Sequence, residues 1–154
     1  MAWRRLLAAL AVVLAVIGAS VLVVDYGIEL MVVQPALLAG EVDGLSLWSP
    51  YDPHGVFIAL ENLGYAAFGA AFVLLGAALA GRSGAVLRAV RATFTAGGTL
   101  ILVALVALAG VYRAGLDYRF EVAGLSLAWL VLVVTGTLLA VMFAAERPSP
   151  RALP

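Results

Sequence analysis

The chain has 154 residues, 65% of them hydrophobic and 12% charged, about half the charged share of an ordinary soluble domain. Nine Arg, no Lys, nine acids and one His sum to zero net charge, which excludes the basic balance of a nucleic-acid partner. No Cys is present, so disulfides, iron–sulfur clusters, thiol nucleophiles and Cys-ligated zinc are excluded, and one His leaves no bis-histidine haem or His-rich metal site. The reading therefore assigns no cofactor and no metal.

A mean hydropathy of +1.13 is too apolar for a water-exposed surface and makes the bilayer the solvent. A spanning helix needs about 20 predominantly apolar residues, and four such stretches occur, at about 6–33, 54–80, 92–113 and 120–145. The expected fold class is an all-α integral membrane protein, a single four-transmembrane-helix bundle.

In chain order, Trp3-Arg4-Arg5 before an apolar run is how a secretory signal begins. The run passes Gly18-Ala19-Ser20 and reaches Val24, beyond the roughly 7 to 15 apolar residues of a signal core, so it is read as a retained helix. Residues 34–53 form an outer loop punctuated by Pro35, Gly40, Gly44, Pro50 and Pro53, with Trp48 and Tyr51 at headgroup depth. Ser49-Pro50 and Asp52-Pro53 each have the form of an N-cap followed by a first-turn Pro, so the second span starts at one of them. Arg82 to Arg91 is a positive loop, with an interfacial approach to the third span as the alternative. Residues 146–154 form a disordered cytoplasmic tail.

Arg4, Arg5, Arg82, Arg88, Arg91, Arg147 and Arg151 fall on one side of this topology, and only Arg113 and Arg119 on the other. Short cytoplasmic loops retain positive charge, so both termini are expected in the cytoplasm and the chain in a bacterial inner membrane. Small residues, among them Gly18, Gly64, Gly69, Gly97, Gly98, Gly124 and Gly136, let membrane helices approach closely. Asp25-Tyr26-Gly27-Ile28-Glu29 is echoed by Asp117-Tyr118-Arg119-Phe120-Glu121; duplication and coincidence both account for it.

Ionisable groups within a span are costly and mark functional sites. Glu61 lies eight residues after Pro53, about 12 Å into a helix that starts there, with Asn62 beside it and Tyr65 one turn deeper. Asp25 and Glu29 are four apart and share a face of the first helix. Asp25, Glu29, Glu61, Asn62, Tyr65, Tyr112 and Arg113 are expected to converge in the outer half of the bundle, with Glu121 and His54 at the rim and Tyr26 as a further ligand-binding candidate. Asp25, Glu29 and Glu61 are the catalytic candidates and the others ligand-binding ones. Bland alternatives are a structural ion pair joining Asp25 and Glu29 to Arg113, interhelical hydrogen bonding by Glu61 and Asn62, and an exposed His54.

The phosphate loop, the His-Glu-x-x-His pair, the Gly-x-Ser-x-Gly elbow and the dinucleotide fingerprint are all missing. Three functions fit. The first is an outward-opening acidic pocket for a small amphipathic or lipid-like ligand, with general acid–base chemistry available to its carboxylates. The second is a proton- or cation-coupled small carrier acting as a dimer. The third is a non-catalytic accessory subunit docking another membrane protein through its Gly-lined faces.

Overall fold

A computed structural model describes residues 2–52, 54–81, 84–112 and 118–145. The described residues are all-helical, and four helices are long and apolar enough to cross a membrane. They are α1 (Ala2–Leu38), α2 (Val56–Ala78), α3 (Ala85–Ala107) and α4 (Tyr118–Ala145). α1 packs on α2, α2 on α3 and α3 on α4, so the two central helices carry most of the interior.

α1 runs on past Gln34, where the sequence pattern places the start of the outer loop. A π-helical turn at Glu29–Val33 comes first, and Gln34 N–H donates to Glu29 O five residues back. The wider turn lets the helix accommodate Pro35, which lacks an N–H and would crowd the preceding turn of a regular helix. At 37 residues, α1 is about 55 Å long, well beyond the ~30 Å of hydrocarbon.

The start of α2 also differs from the expectation. Neither Ser49 nor Asp52 caps it: Ser49 Oγ accepts from Tyr51 N–H at 3.2 Å and Asp52 Oδ1 from His54 N–H at 3.0 Å, so both side chains serve local turns. Gly55 takes the N-cap position instead, with φ −76° and ψ 165°. A Cβ there would stand 2.7 Å from Leu47 O, so the loop closes over α2 only because Gly55 has none. α3 in turn begins at Ala85, making residues 85–91 helical rather than loop; Val86, Leu87 and Val90 supply the apolar side. A second π-helical turn, Leu108–Tyr112, follows α3.

Backbones approach where Gly residues cross. A Cβ on Gly18 of α1 would lie 2.9 Å from Gly64 O of α2, and one on Gly98 of α3 would lie 2.5 Å from Gly69 O of α2. Gly97 presses on Val131 of α4. These are the close approaches small residues permit in lipid, whereas Gly136 meets nothing. Around the crossings, Tyr65, Ile101, Ala128 and Val131 form the core, with Leu22, Phe72, Leu105, Leu125 and Leu132 against it. Thr135 Oγ1 donates to Val131 O at 2.6 Å, which settles a hydroxyl inside an apolar helix.

Candidate functional site

Asp25 and Glu29, one turn apart, both lie buried on the side of α1 that meets α2. Across from them, Glu61 and Tyr65 are one turn apart on α2 and equally buried. Tyr26 links the two helices: its hydroxyl donates to Glu61 Oε1, while its ring meets Phe57 edge-on at 5.8 Å and 75°. Because α2 begins at Val56, Glu61 sits five residues into the helix, about 7.5 Å along its axis. It is therefore shallower than a start at Pro53 would make it.

Glu29 has a partner that helical spacing of three or four does not suggest. Gln34 Nε2 donates to Glu29 Oε1 at 2.7 Å; the π turn brings residues five apart into line, as its backbone hydrogen bond does. Asp25 has no such support. It is 0% exposed, and neither carboxyl oxygen has a hydrogen-bond partner. Tyr65, 2% exposed, lies among Tyr26, Glu61, Trp129 and Asp25, with its hydroxyl toward Tyr26 and Trp129. Buried polar groups are normally satisfied, so an enclosed Asp25 carboxyl group without a donor marks this seam as unusual.

Asn62 follows Glu61 in sequence but is turned about 100° around the helix, and it faces elsewhere. It lines an open groove between the N-terminal half of α2 and the C-terminal end of α3, about 470 Å³ in volume. The walls are Ile58, Ala59, Leu63 and Ala66 on one side and Leu105 and Val106 on the other, with Leu108 and Ala109 of the second π turn and His54 at one end. Asn62 and His54 supply the polar side chains of an otherwise apolar lining.

The expected convergence thus divides in two. Asp25, Tyr26, Glu29, Glu61 and Tyr65 meet on the α1–α2 seam, whereas Asn62 and His54 belong to the groove on another face of α2; His54 is exposed. Arg113 and the side chains of Tyr112 and Glu121 lie outside the described residues, as do Asp117 of the internal echo and the tail. Gln34 joins the seam although the sequence pattern assigns it to the outer loop, and Trp129 of α4 borders Tyr65. Among the described residues no three His, Cys, Asp or Glu side chains are placed to hold a metal ion.

Comparison with family models, curated proteins and solved structures yields no match.

Proposed function

We propose that the chain is a four-helix inner-membrane protein, both termini cytoplasmic, that binds a small amphipathic or lipid-like ligand in the α2–α3 groove. The supporting observation is the lining: an apolar trough of about 470 Å³ with one amide and one imidazole suits an acyl or alkyl chain whose polar end stays at Asn62 and His54. A mostly apolar lining gives affinity by area, and the few polar groups give orientation. Glu61 and Asp25 lie on the α1–α2 seam rather than in this trough, so they take no direct part in holding the ligand and perform no acid–base step upon it.

The test uses a photoactivatable fatty acid in lipid nanodiscs, with crosslinked residues mapped by mass spectrometry. Labelling is expected to concentrate on Ala59, Leu63, Ala66, Leu105 and Val106, and Ala59→Trp, which fills the trough, is expected to reduce it by on the order of tenfold. Labelling of Val12, Val16 and Val23, exposed on α1, serves as the reference for ordinary lipid contact. Groove labelling no stronger than at those positions, and indifferent to Ala59→Trp, rejects the reading.

A further inference from the structure

We propose that the α1–α2 seam is a proton-binding site in which Asp25 and Glu61 hold a proton between them, and that Tyr26 and Tyr65 relay it to and from the α2–α3 groove. The seam contains three carboxylates. Asp25 is fully enclosed with both oxygens unpartnered, and the buried Tyr65 lies near it with its hydroxyl toward Tyr26. An ionised carboxylate in an apolar interior without donors costs several kcal/mol, and the neighbouring Glu61 and Glu29 add repulsion to Asp25. A bound positive charge relieves both.

The geometry selects the class of cation. A metal ion needs a set of converging ligands, and the described carboxylates do not form one. An ammonium group needs an open approach to Asp25, which is sealed from the surface. A proton requires neither. The titratable groups acting on Asp25 are Glu29 from α1 and Glu61 and Tyr65 from α2; Tyr26 reaches Glu61 and Tyr65, and Trp129 of α4 borders Tyr65. Since Tyr26 already donates to Glu61 Oε1, the proton resides on Asp25 or on the other Glu61 oxygen.

The route outward follows from two shared walls. Tyr65 and Asn62 line a void of about 10 Å³ with Ile101, Leu105 and Ala128, at the lower limit of the space that holds one water molecule. Asn62 and Leu105 also line the open groove. Asn62 thus borders both the groove and the void that Tyr65 also lines, and Tyr65 neighbours Tyr26, which donates to Glu61. Each tyrosine hydroxyl accepts one proton and passes on its own, so both are unchanged after a transfer. Buried chains of this kind are how membrane proteins carry protons. The site is a property of the ligand-free protein and stands whether or not the groove binds an amphiphile.

Infrared spectroscopy of the ligand-free protein in lipid nanodiscs at neutral pH tests it. A carbonyl stretch from a protonated carboxyl group is expected, shifting when aspartate or glutamate carry carboxyl carbon-13, and absent in the double variant Asp25→Asn/Glu61→Gln. Tyr65→Phe is expected to keep the band but slow its hydrogen–deuterium exchange on the order of tenfold, since one relay hydroxyl is lost. Wild-type protein without the band overturns the site, as does a band that persists in the double variant. An unchanged exchange rate in Tyr65→Phe overturns the relay.

Discussion

Replacing Asp25 by Val removes a carboxyl group that is 0% exposed and makes no hydrogen bond, while keeping the side-chain volume nearly constant. A buried polar group without a partner costs about 1–3 kcal/mol, and an Asp within a membrane helix about 2.5–3.5 kcal/mol on insertion scales. Because Val leaves little cavity, the offsetting packing loss stays below about 1 kcal/mol. The expected outcome is a gain in stability of about 1–3 kcal/mol. Unfolding in mixed micelles of a mild detergent and dodecyl sulfate, followed by circular dichroism, measures it. The sign discriminates between two pictures of the seam. Were Asp25 one half of a buried ion pair, removing it would leave an uncompensated charge and cost about 3–5 kcal/mol. A loss of stability greater than about 1 kcal/mol therefore refutes the assignment of Asp25 as unsatisfied, and a gain accompanied by loss of the infrared band identifies a residue kept for function at the expense of stability.

Two further substitutions probe the packing and the π turn. Gly98→Val drives side-chain atoms into Gly69 O, which already lies 2.5 Å from an ideal Cβ, and is expected to cost about 1–3 kcal/mol by overpacking. Gly136→Ala, where nothing lies within reach, is expected to stay within about 0.5 kcal/mol of the parent in the same unfolding assay; equal effects at the two sites reject the assigned helix crossings. Gln34→Leu deprives buried Glu29 of its donor and is expected to cost about 1.5–3 kcal/mol. A neutral result there means that residues 29 and 34 are not aligned by the π turn.

The helices were legible because apolar runs of spanning length have few alternatives in lipid, where the backbone must satisfy itself. The pairing of Asp25 with Glu29, and of Glu61 with Tyr65, was legible from spacing of four. What spacing did not reveal was direction around the helix. Glu61 and Asn62 are adjacent in sequence and both polar at membrane depth, yet one residue of rotation sends the first to α1 and the second to α3. Pro35 read as a loop signal because the rule assumes a regular α-helix; the π turn at Glu29–Val33 removes the conflict and creates the Glu29–Gln34 hydrogen bond. Ser49 and Asp52 read as helix caps because the same side chains that cap helices also close turns. Which use prevails depends on Gly55 and Leu47, residues whose meeting is a matter of loop closure rather than of local pattern.

The claim on which the seam rests is that Tyr26 of α1 and Glu61 of α2 bond to each other inside the protein. A double-mutant cycle with Tyr26→Phe, Glu61→Leu and the combined variant, read by mixed-micelle unfolding, measures that link. A coupling energy of about 1–3 kcal/mol is expected for a buried hydrogen bond to a carboxyl group. Effects that add to within about 0.3–0.5 kcal/mol would place the two side chains apart and contradict the site.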